Sequence, residues 1–262
     1  MTERIPRLLG MVHLLPLPGS ARYRGSMGEV LETAATDAAI LVESGFPAVM
    51  VENWGDAPFH ASSVPAETVA AMTLAADAVG GHGVPFGVNV LRNDPLSALA
   101  IAAATGAALI RVNILTGVMY TDQGAITGRA AEVMRLRTAL CPDVEVWADV
   151  MVKHATPPPG MDTAQSAEDT VYRGLADAVI VSGSGTGAEP DMAESKVIAD
   201  AVGNTRVVIG SGAAPDNLAT LLSVADSVIV GSHIKFDGNA DHRPDPARCA
   251  AFVEAAKTQG ML

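Results

Sequence analysis

Short apolar runs rich in valine and isoleucine alternate eight times along this chain with alanine-rich segments of helical spacing. Strands buried on both faces of a parallel sheet have the first composition, and amphipathic helices have the second. The predicted strands lie near residues 8–13, 47–52, 85–90, 108–113, 144–151, 178–182, 206–210 and 227–231. The predicted helices lie near residues 27–44, 65–79, 95–105, 129–140, 166–173, 191–202, 216–223 and 246–258. Strict alternation predicts one parallel sheet with helical crossovers.

Eight strand–helix units favour closure of this sheet into a barrel. The predicted fold class is therefore α/β, a single (β/α)8 TIM barrel that forms one domain over residues 1–262. The length fits, since such barrels have about 250 residues. An open doubly wound sheet is the alternative, but no GxGxxG motif follows the first predicted strand, which lowers its weight.

Charge and cysteine content narrow the classes of partner. The chain has 17 Lys and Arg against 29 Asp and Glu, a net charge of −12, so its surface would repel a phosphate backbone and we expect no nucleic acid partner. Its 2 cysteines form neither a disulfide framework nor a zinc motif. Without a signal-peptide pattern or an apolar run long enough to span a bilayer, we expect a cytoplasmic protein with no transmembrane segment.

Loop lengths predict which end of the barrel carries the site. The segments that leave the first, fourth and fifth predicted strands are long, covering residues 14–25, 114–128 and 154–160, whereas the returns from helix to strand are short. In a (β/α)8 barrel the active site lies among the loops that leave the strands. We therefore expect the working face at the carboxyl ends of the strands.

Polar side chains at those strand ends are the candidates for catalysis. We predict Glu52, Asp149 and Lys153 as catalytic residues, with the two carboxyl groups moving protons. A salt bridge from Glu52 to Arg111 or Lys153 is the structural alternative. Asp149 and Lys153 are four residues apart, a spacing that returns to the same face of a strand. We expect neighbouring carboxylates to keep the pKa of Lys153 high, which favours electrostatic binding over covalent catalysis.

A second group of strand-end residues is predicted to contact the substrate. Its members supply amide, imidazole, guanidinium or hydroxyl groups that orient sugar hydroxyls and developing negative charge. They are His13, Asn53, Asn89, Arg111, Asn113, His154, Ser182 and Ser184. The last two belong to the run SGSGTG at residues 182–187, which we interpret as a mobile substrate loop facing Glu52 and Lys153.

Glycine and serine follow the last two predicted strands directly. Such turns let backbone amides approach an anion, and a following helix N-terminus would add positive potential. Loops after the seventh and eighth strands are the common phosphate position in these barrels. We predict a phosphate site formed by Gly210, Ser211, Gly212, Gly231 and Ser232.

A divalent metal site is a weaker alternative. His13, Glu52, Asp149 and His154 have suitable ligand types, but the first strand has only one histidine instead of the His-x-His pattern common in metal-dependent hydrolases of this fold. We assign no metal ligands, and no cofactor is required by the pattern.

Two segments carry a family resemblance: GMVHLLPLPGS at residues 10–20 and ADVMVKHA at residues 148–155. They resemble the BtpA/SgcQ family, and the resemblance extends over nearly the whole chain. It implies a (β/α)8 barrel and, from the family name, a role in photosystem I biogenesis. No membrane or pigment-binding signal in the sequence independently supports that role.

A more distant similarity is to the ribulose-phosphate-binding barrels, in particular the tryptophan synthase α subunit. In that subunit a strand-two carboxylate and a following acidic loop residue act on the substrate, which would correspond to Glu52 and Asp56. The run SVIVGSHIK at residues 227–235 resembles the last-strand phosphate signature of the group. Small residues would be expected after the strand-two carboxylate, where this chain has Asn53-Trp54. The similarity therefore implies phosphate binding, but not the reaction of the tryptophan synthase α subunit.

Three functions follow as hypotheses. The first is an enzyme that acts on a phosphorylated sugar or sugar-containing metabolite by lyase, isomerase or glycosyl-transfer chemistry. The second is a non-catalytic assembly or regulatory factor, and the third is a metal-dependent hydrolase. The expected partner is a small phosphorylated metabolite, and a homo-oligomer is possible.

Overall fold

Eight parallel strands close into a barrel in the computed structural model, which describes residues 5–183 and 185–262 of the chain. Around the barrel the strands follow chain order, and helices lie between them, so the predicted (β/α)8 fold is confirmed. The barrel strands are β1 (Leu8–His13), β2 (Val49–Glu52), β3 (Phe86–Asn89), β4 (Leu109–Val112), β7 (Glu145–Val150), β9 (Ala178–Val181), β10 (Arg206–Ile209) and β11 (Ser227–Val230).

The helices occupy the segments between strands. They are α1 (Met27–Glu43), α2 (Ala66–Gly80), α3 (Pro95–Thr105), α4 (Ala130–Leu140), α5 (Thr163–Glu168), α6 (Met192–Val202), α7 (Leu218–Leu221) and α8 (Pro246–Thr258). Aspartate caps several of them: the side chain of Asp94 accepts from the Ser97 amide at 3.1 Å, and Pro95 then begins α3. Proline suits this first helical position because the position needs no amide donor.

Two helices differ from the sequence prediction. The helix expected near 166–173 begins at Thr163, where Asp162 is the N-cap, and continues after Glu168 as a π-helical turn over Asp169–Arg173. The helix expected near 216–223 is shortened to the four residues of α7.

A small antiparallel sheet lies beside the barrel. Its strands are β5 (Val118–Thr121), β6 (Gly124–Thr127) and β8 (Ala155–Thr156), with β5 in the centre. The sheet joins the loop after β4 to the loop after β7, in neither of which a strand was predicted. Backbone hydrogen bonds therefore hold these two long loops together.

Apolar residues fill the barrel interior below its carboxyl-end opening, which we call the mouth. Met11, Met50, Trp147 and Ile180 belong to this inner cluster, and a larger cluster packs the outer strand faces against the helices. Polar residues form the layer directly above the inner cluster. Alternate residues of a strand face the lumen. Because Met11 and Met50 face inward, His13 and Glu52, each two residues further along its strand, face inward as well.

Among the described residues, no helix is long and apolar enough to cross a membrane.

Candidate functional site at the barrel mouth

Four polar residues lie in register across adjacent strands at the mouth. His13 is paired with Glu52, Glu52 with Asn89, and Asn89 with Arg111. In-register residues of parallel strands project side by side, so the sequence places these side chains in one layer. The Asn89 Nδ2 atom donates to Glu52 Oε2 at 2.6 Å, and the Glu52 carboxyl group is buried.

The imidazole of His13 is held neutral beside Glu52. Its Nδ1 lies 3.0 Å from the carbonyl oxygen of Ala240, which can only accept, so Nδ1 carries the proton and Nε2 has a free lone pair. Burial, and secondly the charge of Lys235, lower the pKa of His13 to about 3. The 3.9 Å approach of His13 Nε2 to Glu52 Oε1 is therefore a contact between a neutral ring and a carboxyl group, not an ion pair.

Arg111 and Asp149 form a buried two-pronged ion pair. Arg111 Nε and Nη2 donate to the two carboxylate oxygens of Asp149 at 2.9 and 2.8 Å. Ser182 Oγ donates to the same carboxylate at 3.3 Å, and Asn113 Nδ2 at 3.5 Å. The described residues contain no ion pair from Glu52 to Arg111 or Lys153, the structural alternative considered for Glu52.

Lys153 reaches the site from a loop, not from a strand. Strand β7 ends at Val150, and Met151 and His154 then adopt φ of 52° and 56°, in the left-handed region. The interpretation that Asp149 and Lys153 share a strand face is therefore wrong. The loop nevertheless returns Lys153 to the cavity that Glu52 and Arg111 line.

The pKa of Lys153 is also corrected by the structure. Burial is the largest cause and Arg111 the next, and together they lower this pKa to about 8 despite the opposing charges of Glu52 and Asp149. The expectation that carboxylates keep it high is wrong because burial outweighs the charges of Glu52 and Asp149, and Arg111 and Arg92 add positive charge. Lys153 is thus closer to losing its proton near neutral pH than an exposed lysine.

A cavity of about 240 Å³ opens above this layer. It is lined by His13, Glu52, Arg111 and Lys153, and also by residues 210–214 and 231–233. The turns after β10 and β11 therefore share this cavity with the polar layer. The structure brings the predicted phosphate turns and two of the three predicted catalytic residues, Glu52 and Lys153, to one cavity, whereas Asp149 is not among the residues that line it.

Backbone amides are what these turns can offer to a ligand. Within residues 5–183 and 185–262, no protein acceptor receives the amides of Ser211, Gly212, Ala213, Ser232 and His233. A concave group of unpartnered amides is a typical anion site. The expected helix contribution is absent, because only the four-residue α7 and a 3-10 turn at Ser232–Ile234 follow these strands.

Three of the predicted phosphate residues have additional structural roles. The Gly210 amide donates to Val181 O at 2.7 Å and is thus part of the barrel ladder. The Ser211 hydroxyl accepts from the Gly183 amide at 3.0 Å and lies 3.1 Å from Ala188 O, so it ties two loops together. Gly212 has φ of +76°, and a Cβ there would lie 2.4 Å from Ala188 O. At Ser211 and Gly212 only the amide is left for a ligand.

The loop at residues 182–187 borders the same cavity. Thr186 and Gly187 line it, and Thr186 Oγ1 lies 3.0 Å from His154 Nε2. Ser184 lies outside the described residues. Thr186 and Gly187 therefore share the cavity with Glu52 and Lys153, and the role of the run as a mobile substrate loop stays a prediction.

Asn53 is not brought into the cavity. Its Oδ1 accepts from the Leu91 amide at 2.7 Å, and its Nδ2 donates to Asp56 at 3.0 Å. Asp56 in turn accepts from the Leu17 amide at 2.8 Å. Both side chains thus join the loops that follow β1, β2 and β3, and neither lines the mouth cavity.

Two residues that the sequence analysis did not propose are part of the site. Trp54 stacks on His13 with ring centroids 5.1 Å apart, and it also lines the cavity. Arg92 is buried and donates from Nη2 to the carbonyl oxygen of Lys153 at 2.5 Å. Arg92 could have been predicted from the sequence. It lies three residues after the end of β3, and polar residues near the carboxyl ends of the strands, such as Arg111, were the candidates for the site.

The considered metal ligands do not form a cluster. Among the described residues, no group of three or more His, Cys, Asp or Glu side chains could hold a metal ion. His13 and Glu52 are neighbours, but Asp149 is bound by Arg111 and His154 contacts Thr186.

Comparison with known proteins identifies close relatives. The BtpA family model matches residues 4–258. The photosystem I biogenesis protein BtpA of Synechocystis sp. is 47% identical over 249 residues, which cover 95% of this chain and 87% of that protein. The sgc region protein SgcQ of Escherichia coli is 30% identical over 250 residues, which cover 94% of this chain and 92% of that protein.

Solved structures with the same fold are more distant. Phosphoribosyl anthranilate isomerase from Thermus thermophilus matches with a TM-score of 0.59 and 14% identity, over 97% of this chain and 99% of that one. KGPDC from Streptococcus mutans matches with a TM-score of 0.59 and 13% identity, over 97% and 99% of the two chains. At these identities the likeness shows the barrel fold alone.

Proposed function

The chain belongs to the BtpA family, and from its mouth geometry we propose that it is an enzyme acting on a small phosphorylated sugar or sugar-containing metabolite. The reaction would be of the lyase, isomerase or glycosyl-transfer type. One observation supports the proposal: a single cavity is lined both by Glu52 and Lys153 and by the two turns whose amides have no protein acceptor among the described residues. The turns would bind the phosphate, and the polar layer would act on the sugar.

Glu52 is the proposed proton carrier. Its carboxyl group lines the cavity, is fixed by Asn89, and has a neutral imidazole lone pair 3.9 Å away. A general acid/base needs a carboxyl group that can reach the substrate without being neutralised by a permanent cationic partner. Glu52 meets this requirement, and Asn89 acts through it as a positioning residue.

Asp149 and Arg111 are proposed to act as a unit. We keep Asp149, predicted as a catalytic residue, in the assignment as a positioning residue, because both of its carboxylate oxygens accept from Arg111 and thereby fix the orientation of that side chain. Arg111 lines the cavity and would stabilise negative charge that develops on a sugar oxygen. His13, Asn113 and Ser182 complete the polar surroundings.

Lys153 is proposed to hold the substrate by its charge. Lys153 lines the same cavity as the amide turns. A pKa of about 8 leaves it mostly protonated at pH 7 and also makes its neutral, nucleophilic form accessible. The electrostatic role therefore comes first, and Schiff-base chemistry would be a second use of the same group.

A non-catalytic assembly role is the second candidate. The specific observation for it is the 47% identity to the photosystem I biogenesis protein of Synechocystis sp.. The buried polar layer speaks against a bare scaffold, since buried charges and unpartnered amides lower stability if they are not used.

Thermal-shift measurements with sugar phosphates and their unphosphorylated sugars distinguish the two candidates. We expect stabilisation by at least one sugar phosphate and none by its free sugar at the same concentration. A stabilising compound is then incubated with wild-type protein and with Glu52→Gln, and its conversion is followed by NMR. Stabilisation by no anionic metabolite, or conversion unchanged in both Glu52→Gln and Asp149→Asn, would contradict the enzyme assignment.

A further inference from the structure

A second cavity adjoins the phosphate-facing one. Its volume is about 310 Å³, and its walls include the apolar side chains of Trp54, Phe59 and Leu91. Both cavities are lined by Glu52, Trp54, Arg111 and Lys153. They are thus two lobes of one site that meet at the proposed reacting groups. We call the lobe at residues 210–214 and 231–233 the phosphate lobe, and the lobe at Phe59 the apolar lobe.

The apolar lobe contains one buried acceptor that has no partner. Asn113 lines this lobe and is buried, and its Oδ1 atom receives no hydrogen bond from the described residues. The orientation of the amide is fixed by chemistry, because its Nδ2 faces the acceptor-only carboxylate of Asp149 at 3.5 Å. A buried acceptor without a donor is costly, so Oδ1 calls for a donor from a ligand or a bound water.

The walls of the apolar lobe fit a flat ring better than a second sugar. Most of the exposed surface of the lobe is apolar and includes the aromatic rings of Trp54 and Phe59. Polar side chains also line it, among them Arg92, Asp122 and His154, and these would contact polar groups at the edge of a ring. A planar ring with an N–H group would contact Phe59 and Leu91 with its faces or edges and donate to Asn113 Oδ1. The phosphate lobe offers backbone amides, hydroxyl groups and charged side chains, which suit a phosphate.

We propose that the substrate is a phosphorylated sugar that carries an aromatic or heteroaromatic ring with an N–H donor, held in the apolar lobe. This proposal rests on the proposed function and specifies its substrate class. The bond between sugar and ring lies at the junction of the lobes, where Glu52, Arg111 and Lys153 line both. A nucleoside 5′-monophosphate has the required order of parts: phosphate, sugar and ring.

Isothermal titration calorimetry with three kinds of probe tests the proposal. The probes are ribose 5-phosphate, the four common ribonucleoside 5′-monophosphates, and the corresponding nucleosides without phosphate. We expect at least one nucleoside monophosphate to bind about tenfold or more tighter than ribose 5-phosphate, since an aromatic ring buries about 150–250 Å². If none of the four binds more tightly than ribose 5-phosphate, the apolar lobe does not hold a ring and the proposal is overturned.

Matched variants show which lobe causes the tighter binding of a nucleoside monophosphate. Phe59→Ala should remove most of the advantage of the ring while leaving ribose 5-phosphate binding within twofold, and Phe59→Leu should keep part of it. Ser232→Asp should weaken the binding of every phosphorylated probe by about tenfold or more. Ser232→Asn is its control, because asparagine has the size of aspartate without the charge. Circular dichroism and the melting temperature check that each variant is folded.

The two proposals fail in different ways. Equal binding of ribose 5-phosphate and all four nucleotides, still weakened by Ser232→Asp, would overturn the ring and keep the phosphate site. Binding of no phosphorylated probe, or binding that Ser232→Asp does not weaken, would overturn the phosphate site itself. A ring advantage that survives in Phe59→Ala would place the ring elsewhere and also overturn the inference.

Discussion

The replacement Asp149→Asn should destabilise the barrel strongly, because it leaves Arg111 buried without a counter-charge. The side chains of Arg111 and Asp149 are 2% and 0% exposed, and the closest N–O distance is 2.8 Å. At that distance and an effective dielectric constant of about 20, Coulomb's law gives an attraction of about 6 kcal/mol. The introduced amide would still accept one hydrogen bond from Arg111, so we expect a net loss of about 3–5 kcal/mol, as is usual when one partner of a buried pair is removed.

Thermal unfolding followed by circular dichroism measures this loss. For a chain of this size a loss of about 3–5 kcal/mol lowers the melting temperature by about 6–20 °C. Asp200→Asn is the matched control: Lys196 and Asp200 form an ion pair at 3.0 Å, but their side chains are 65% and 67% exposed. Exposed pairs contribute little, so this control should melt within about 2 °C of the wild type.

The double replacement Arg111→Met with Asp149→Leu separates charge from packing. Exchanging a buried ion pair for apolar groups is often neutral or stabilising, so the double variant should recover more than half of the loss. An Asp149→Asn protein that melts together with Asp200→Asn would refute the reasoning. A double variant as unstable as the single one would show that packing, not the unpaired charge, causes the loss.

Three further replacements test the roles assigned at the mouth. Glu52→Gln should lower turnover of the identified substrate by about 10²–10⁴-fold, as loss of a general acid/base does; Glu189→Gln, a carboxyl group of the same cavity that accepts from Asn217 at 2.9 Å, should cost far less. Affinity for a sugar phosphate should fall as pH rises through about 8, because the lowered pKa of Lys153 means that its charge is lost there, and Lys153→Gln should remove this step. Gly212→Ala should cost about 2 kcal/mol or more, because φ is +76° and the new Cβ would lie 2.4 Å from Ala188 O. Gly28→Ala, on a helix with open space around it, should be neutral or slightly stabilising.

Each of these three has a result that would contradict it. For Glu52 it is turnover within threefold of the wild type, or an equal loss in Glu189→Gln. For Lys153 the contradicting result is an affinity that stays constant between pH 7 and 9.5. A pH step that persists in Lys153→Gln would also contradict the assignment, because the step would then belong to another group, such as Lys235, whose pKa is also lowered to about 8. For Gly212 it is a melting temperature equal to that of Gly28→Ala.

The barrel was predictable because each strand is marked by local composition. Runs such as Ala178–Val181 are buried on both faces, so the sequence must be apolar there, and their glycine-rich ends follow at once. Position at the strand ends likewise identified His13 and Glu52 as candidates for the site, since the active site of such a barrel lies at the carboxyl ends of its strands. The fold and the location of the site therefore follow from patterns that span only a few residues.

The small sheet beside the barrel was missed because its signals are not local. Strands β5 and β6 are short and partly exposed, so they lack the apolar run that marks the barrel strands. Strand β5 pairs with Ala155–Thr156, which lies far along the chain, and no sequence period reveals that partner. Contacts between distant loops are set by the assembled barrel.

The details of individual side chains also required the assembled structure. Lys153 was assigned a high pKa from the carboxylates near it in sequence, but burial and Arg111 outweigh them. Asn53 has the composition of a ligand-binding residue, yet its amide is used to hold Leu91 and Asp56. Which partner satisfies a polar group depends on all the loops that meet there, and one strand end cannot show it.

A crystal structure with bound ribose 5-phosphate tests the central claim most directly. We expect the phosphate oxygens within about 2.7–3.2 Å of the amides of Gly212 and Ser232, with the sugar directed toward Glu52 and Lys153. Phosphate density at another place, or a phosphate at these turns with the sugar directed away from Glu52, would contradict the account.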